Sequence, residues 1–325
     1  MLANQSTPIR IALPFSPNGG TVNVYLFRTP EPILIDAGFY SAAAWSALKA
    51  ALAEHGLAIA DLARVIITHP HVDHYGCAAR IAGESQAQIW MAEVGVDWLH
   101  HFPQRWQQRM DYYRTSFLPG LGLAPEFCQS SLDWMQGTLD AWQPIPAERI
   151  GRFADDGELV LGGLAWQVLH LRGHDSHLTC FYQAQTRQLL AADMLMIPTP
   201  TPVVEAPAVG EVRQPALPHM LLSMDRLAAL DIETVYPGHG IPFTDHRTVI
   251  RSQQARIHER KEECWRHIVA GVDKVADLSA HMYGPRAQTV GLAGVWMVVG
   301  YLDLLQAEAR VAVDTVDSVW RYRVI

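Results

Sequence analysis

Three kinds of hydrophobic pattern alternate along the chain. The first is short and rich in branched and aromatic residues. Residues 9–15 (IRIALPF), 21–27 (TVNVYLF) and 32–36 (PILID) are such runs, bounded by Pro, Gly and Asn, and they predict strands. The period then changes. Residues 41–56 (SAAAWSALKAALAEHG) are rich in Ala and Leu, open on Ser41 as an N-cap and close on Gly56 just past a helix end. Residues 62–68 (LARVIIT) read as a buried strand running straight into THPHVDHYG. A helix is expected from near Asp73 through CAARIAG, with residues 87–92 (AQIWMA) as the next strand.

Residues 93–145 carry the second pattern, polar and aromatic at helical spacing. Trp98, Phe102, Trp106, Tyr112, Tyr113 and Phe117 come first, then Phe127, Trp134 and Trp142. PGLGLAP (119–125) breaks the stretch, so two helices are expected, inserted on a β-rich body. Packing onto that body is the first expectation for these rings. The alternative is a lid lining an apolar pocket. Residues 157–192 return to strands, with turns at Gly162–Gly163 and Gln185–Thr186.

The third pattern is loop, then helix. Residues 197–218 hold six prolines and no period, which predicts a loop or entrance wall. LLSMDRLAALD (221–231) is a predicted helix, and TVYPGHGIPF a short strand and turn. From 247 to 325 the pattern is helical until the strand-like VWRYRV (319–324). A main body over 1–246 and a small, mostly helical domain over 247–325 are therefore expected.

Composition narrows the class. The chain has 325 residues, 49% hydrophobic and 18% charged, enough for a substantial core and too apolar for a disordered chain. Its net charge of −8, from 25 basic and 33 acidic residues, is not the global balance of a nucleic-acid backbone binder. Cys77, Cys128, Cys180 and Cys264 lie far apart and form no C-x-x-C pair, so a reduced, cytoplasmic chain is expected. The opening segment is interrupted by Pro8, Pro14 and Pro17 and carries no long apolar run, which predicts no export signal. GLAGVWMVVGYLDLL near the end is short for a membrane span and contains Asp303, so a buried helix is expected there and no membrane partner.

Histidine is the anomaly, with fifteen in the chain. His69-x-His71-x-Asp73-His74 follows a hydrophobic strand directly. His69 and His71, two apart in a non-helical turn, can converge on one cation, while Asp73 and His74 face a second. Imidazole and carboxylate at this density suit Zn²⁺, with Fe or Mn as alternatives. His174 in LRGHDSH, Asp193 at the end of LLAAD and His239 in YPGHG each follow a strand in the same manner.

With T-H-P-H-V-D-H-Y-G (68–76), G-H (173–174), A-D (192–193), P-G-H-G (237–240) and I-D-A-G (35–38), the sequence resembles the metallo-β-lactamase superfamily over roughly residues 9–246. The resemblance implies an α+β fold, an αββα sandwich with the site at one edge. It implies one cation on His69, His71 and His174, a second on Asp73, His74 and His239, and Asp193 bridging them. Asp36 would orient the His-rich loop by hydrogen bonding. The appended helical segment with His258-Glu259-Arg260 looks similar to the winged-helix-like C-terminal domain of one branch, which includes thioesterase-like hydrolases and endoribonucleases. One departure stands in Gly173-His174-Asp175-Ser176-His177-Leu178. The second histidine comes one place earlier than in the common superfamily patterns, so His177 is read as polar loop, with support of the site as the alternative. Diiron flavoprotein relatives carry Glu where His71 stands, which speaks against an oxygen-reducing role.

The expected chemistry is hydrolysis by a hydroxide that two divalent metal ions generate from a shared water, with Asp73 as the catalytic residue that orients it and carries a proton. No G-x-S-x-G elbow is present for a serine mechanism. A thioester, lactone or ester is the expected small-molecule substrate. An endoribonuclease or phosphodiesterase is an alternative. The basic residues of RSQQARIHERKEECWRH suggest it, but Glu259, Glu262 and Glu263 interleave them, so nucleic acid is disfavoured as a partner. A metal-containing binding or regulatory protein is the other alternative. Apolar segments in the tail leave room for a homodimer.

Overall fold

The computed structural model describes residues 7–15, 20–208 and 210–325. The reading of the first twenty residues therefore falls partly outside the described residues.

Strands β1 (Ile9–Pro14), β2 (Thr21–Phe27), β3 (Ile33–Ile35), β4 (Arg64–Ile67), β5 (Gln88–Ala92) and β6 (Ile150–Phe153) form one sheet in that spatial order. The second sheet runs β11 (Thr234–Pro237), β10 (Gln188–Ala192), β9 (Thr179–Gln183), β8 (Leu164–His170) and β7 (Glu158–Leu161). Alternation along the strands decides what each face meets. Phe27, Ile33, Ile35 and Ile66 of the first sheet face Trp166, Val168, Phe181 and Leu190 of the second, and these residues form one buried cluster. Phe27 meets Trp166 edge-on at 5.7 Å, and Tyr25 meets Tyr236 at 5.6 Å. The alternate residues Val24, Leu26, Leu34, Val65 and Ile67 belong to the other core cluster, together with helix residues such as Trp45 and Leu48. The result is an αββα sandwich.

Helix α1 (Ala42–Glu54) begins where Ser41 accepts the Ala44 backbone N–H at 3.0 Å and ends before Gly56 at φ 73°. A single turn, α2 (Val72–Tyr75), and α3 (Ala78–Glu84) follow the His-rich loop. The insertion is α4 (Val96–Tyr112), a π turn at Tyr113–Phe117, the short α5 (Leu118–Leu121) and α6 (Pro125–Ala141). Its break falls at Gly122.

Helix α7 (Ala216–Ala228) starts earlier than the pattern predicts. Pro215 is its N-cap and Pro218 lies in its first turn, where a missing N–H costs nothing. The chain continues through α8 (His246–Val269), α9 (Val275–Tyr283), α10 (Ala287–Ala307) and a hairpin of β12 (Val311–Val316) and β13 (Val319–Val324). β6 and β12 were not anticipated. Helix α10 is longer than its apolar run suggests, and 19 of its residues, Thr289–Ala307, are long and apolar enough to cross a membrane. In this fold it packs against α7, α8 and α9, with Val298, Leu302 and Leu305 buried. The four cysteines are free.

Two long-range contacts tie the tail to the insertion. Trp296 Nε1 donates to the Tyr113 hydroxyl at 2.9 Å, and Trp320 meets Phe117 edge-on at 6.0 Å.

Candidate metal centre

Strand direction places the functional residues. β3 and β4 are parallel, as are β10 and β11, and β8 runs with β10 because both oppose β9. The C-terminal ends of these strands deliver Asp36, His69, His174, Asp193 and His239 to one edge of the sandwich. Two backbone bonds lock that edge across the sheets, Thr179 N–H to the Thr68 carbonyl at 3.0 Å and Asn23 N–H to the Gly238 carbonyl at 2.7 Å.

All seven residues expected at the cations come together there. His69, His71 and His174 form one group of potential ligand atoms, Asp73, His74 and His239 a second, and His69, His74 and Asp193 link the two. Asp193 Oδ2 lies 3.5 Å from His174 Nε2 and 3.3 Å from His239 Nε2, and Asp193 Oδ1 lies 3.4 Å from His74 Nε2. Asp73 Oδ2 is 3.3 Å from His239 Nε2.

The outward nitrogens of His69, His74, His174 and His239 have hydrogen-bond partners, and that of His71 faces a carboxylate. His74 Nδ1–H donates to Asp36 Oδ2 at 2.8 Å, His174 Nδ1–H to the Thr201 carbonyl at 2.8 Å, and His239 Nδ1–H to the Thr21 carbonyl at 2.7 Å. Thr68 Oγ1 donates to Asp36 Oδ2 at 2.9 Å and so accepts from His69 Nδ1–H at 3.0 Å. His71 is turned the other way, with Nε2 3.4 Å from Asp175 Oδ2. These partners set the tautomers. They leave His69 Nε2, His71 Nδ1 and His174 Nε2 without protons, yet 2.9–3.0 Å apart. Three converging lone pairs repel unless a cation lies among them. His74 Nε2 and Asp193 Oδ1 are buried with no hydrogen-bond partner. The donor set fits divalent metal.

Electrostatics divides the cluster into two halves. Burial, followed by the neighbouring imidazoles His74, His71 and His174, drives His69 well below the usual histidine range. Burial and His71 bring His174 down to about 4. In the other half carboxylates win. Burial, the largest single influence, would lower His74 and His239, but the neighbouring carboxylates, Asp193 first, together outweigh it in both. Asp73 and Asp36 add to the effect on His74, which is held well above its ordinary value, and His239 rises to about 10. Burial would raise Asp73, but His74 and the His239 bond bring it to about 2. Protons on His74 and His239 thus occupy the electrostatic place of a cation in the metal-free chain.

Gly238 explains the P-G-H-G turn. A Cβ there would lie 2.0 Å from Asp193 Oδ1 and 2.9 Å from His74 Cε1, inside the cluster itself. Asp36, at φ 61°, occupies the left-handed region that Asp tolerates better than most residues, and accepts the Thr68 backbone N–H at 2.8 Å.

The sequence reading missed Thr68 and Asp175. Asp175 follows His174 directly and also accepts from the His177 backbone N–H at 2.7 Å and lies 3.1 Å from its Nδ1. His177 therefore connects to His71 through one carboxylate, rather than standing as an incidental loop residue. Asp175 and His177, with Glu205, make a third group of potential ligand atoms, outside the main cluster.

Above the cluster lies a cavity of ≈ 230 Å³, with His71, Asp73, His174 and Asp193 on its floor. Trp106, Tyr113 and Trp134 from the insertion and Trp296 from α10 make its walls. The insertion aromatics serve both expected roles. Phe102 and Phe117 are core, whereas Trp134 is 54% exposed and faces the cavity.

The fold and this metal-binding edge define a class. The sequence profile of the Metallo-beta-lactamase superfamily matches residues 17–239, and the chain belongs to that superfamily. A curated relative, "Probable metallo-hydrolase YqjP" of Bacillus subtilis (strain 168), is 27% identical over 316 residues, 96% of this chain and 94% of that protein. The crystal structure of metallo-beta-lactamase family protein TTHA1429 from Thermus thermophilus is 25% identical, with a TM-score of 0.78 over 98% of each chain. A beta-lactamase domain protein from Burkholderia ambifaria, 21% identical, shares the fold with a TM-score of 0.77 over 98% of this chain and 92% of that one. These likenesses extend through the helices after residue 246.

Proposed function

We propose that the chain is a metal-dependent hydrolase of a small or medium acyl derivative, namely a thioester, lactone or ester. The observation that carries this reading is the His/Asp cluster on the floor of an aromatic cavity of ≈ 230 Å³. Two divalent cations, Zn²⁺ foremost, would supply Lewis acidity and ease the ionisation of water near neutral pH. His69, His71 and His174 would hold one, and Asp73, His74 and His239 the other. Asp193, within 3.5 Å of nitrogens from both groups, would serve both.

The remaining chemistry belongs to side chains. Asp73 lines the cavity and is fully ionised at neutral pH, so it can orient an attacking water, take its proton and pass it to the leaving group. Trp106, Trp134 and Trp296 line the cavity and would pack against the acyl portion and exclude water from it. Asp36, Thr68 and Asp175 hold the imidazoles in register, so little reorganisation accompanies reaction.

A small molecule is favoured over nucleic acid because several of the tail's basic residues are already paired with carboxylates. Arg310 Nη1 meets Glu262 at 2.5 Å, Arg260 Nη1 meets Glu263 at 2.5 Å, and Lys261 is paired with Glu308. The test is a panel of acyl thioesters, lactones and p-nitrophenyl esters, run with metal-loaded protein, chelator-treated protein and His69→Ala. Turnover lost in the last two supports the reading. No turnover across the panel by fully metallated protein overturns it.

A further inference from the structure

Arg109 lies within the aromatic wall of α4 and is only 7% exposed. A guanidinium withdrawn from water to that degree ordinarily has a carboxylate beside it, because an uncompensated buried charge is costly. Among the described residues Arg109 makes no ion pair, whereas Arg105, one turn away, is paired with Asp97. Its protein acceptors are the Val204 carbonyl, at a long 3.5 Å, and the Tyr113 hydroxyl oxygen, which already accepts from Trp296. The Trp106 and Tyr113 rings stand 5.5 and 5.9 Å from its central carbon, contacts that use none of its five donors. The nearby Glu205 carboxylate is committed elsewhere, accepting from the Ser176 backbone N–H at 2.6 Å and from the Ser176 hydroxyl.

Arg109 stands on a partition. It lines the cavity over the metal cluster and also a second cavity of ≈ 240 Å³, bounded by α4, the loop before α7 and the turn after β8. The second cavity has a more polar wall and includes Arg172, whose guanidinium makes no hydrogen bond or ion pair among the described residues. Two guanidiniums without an ion pair thus stand on adjoining walls, although Glu205 and Glu211 also line the second cavity. Guanidinium recognises carboxylate and phosphate by paired N–H···O bonds.

We propose that the substrate is an anionic acyl derivative, whose carboxylate or phosphate is bound by Arg109 where the two cavities meet, while its acyl portion lies over the His/Asp cluster. The inference rests on the hydrolase reading and narrows it to acyl compounds that carry negative charge. Arg172 is placed to take a second oxygen of the same group or a second phosphate further into the polar cavity.

Calorimetry with inorganic phosphate and with acetate, on metal-loaded wild type, Arg109→Met and Arg109→Lys, tests the proposal without turnover. Arg109→Met keeps the volume and the apolar stem, and Arg109→Lys keeps the charge. At least one anion is expected to bind wild type, to bind Arg109→Met about tenfold or more weakly, and to recover in part in Arg109→Lys, with metal content equal in all three. Phosphate responding alone assigns a phosphate-bearing substrate, and acetate alone a carboxylate-bearing one. Equal affinity in wild type and Arg109→Met, or no anion binding to wild type, overturns the proposal.

A kinetic arm compares a butyryl thioester of coenzyme A with the butyryl thioester of N-acetylcysteamine, and a neutral ester with one of equal length ending in carboxylate. The charged member of one pair is expected to have the lower KM in wild type, and Arg109→Met to erase that difference. Hydrolysis of neutral esters with no response to Arg109 would sink the anion site and leave the hydrolase reading intact. Anion binding through Arg109 with no turnover of any acyl compound would do the reverse.

Discussion

Asp36 Oδ2 and His74 Nδ1 lie 2.8 Å apart, both buried, although 38 residues separate them in sequence. The same carboxylate also accepts from Thr68, which in turn fixes His69. One side chain thus orients an imidazole from each half of the cluster. Asp36→Ala is expected to lower metal affinity about 10- to 100-fold, as loss of a partner behind a ligand histidine commonly does. Metal retention during titration with a chromophoric chelator measures this. Unchanged retention would contradict the assignment.

Asp175 should act more locally, because it supports His71 alone among the residues of the main cluster. If two cations bind as proposed, Asp175→Asn is expected to weaken one binding event while sparing the other. Stepwise metal titration followed by calorimetry distinguishes the two, and equal weakening of both would count against a local role.

The carboxylate-dominated half of the cluster sets a pH dependence. His239 in the metal-free chain is raised to about 10 and His74 is raised as well. Protonation of these residues stabilises the metal-free fold fully below the ordinary histidine value, and that contribution fades as pH climbs toward the folded-state value. Metal must displace the same protons. The rise in Tm on adding metal is therefore expected to grow between pH 6 and pH 8, and metal uptake to release protons. Scanning calorimetry across that range, with and without chelator, gives the comparison. A metal-induced shift that shrinks as pH rises would refute the proton-for-cation exchange.

Gly238→Ala is expected to cost about 1–3 kcal/mol in the metal-free protein and to reduce metal binding, because its methyl group enters the space between Asp193 and His74. Tm and metal content check both effects. Wild-type values for both would mean that the turn yields without disturbing the cluster.

Much of this was legible in the chain because local pattern and global fold agree. The short runs of branched and aromatic residues in TVNVYLF and LARVIIT predicted strands, and the fold buries both of their faces. The seven cluster residues could be picked out because they fall in four recognisable turns, each following a strand. What stayed hidden depends on contacts between distant segments. Nothing in the residues around Asp175 announces a charge contact with His71, since that contact needs the turn after β8 to fold over the one after β4. Arg109 reads as one more basic residue in a polar helix until Trp106 and Tyr113 enclose it. β6 and β12 escaped because Ile150–Phe153 has only four residues and Val311–Val316 carries exposed polar positions in place of a buried face.

The bond between Trp296 and Tyr113 spans 183 residues of sequence and closes the roof of the cavity. The grip on metal is built wholly from the sandwich, whereas the choice of what enters is shared between an insertion and a tail. The tail thus supplies one side of the chamber, while its buried residues, Ile250, Ile257 and Val298 among them, join the same core as the sandwich helices.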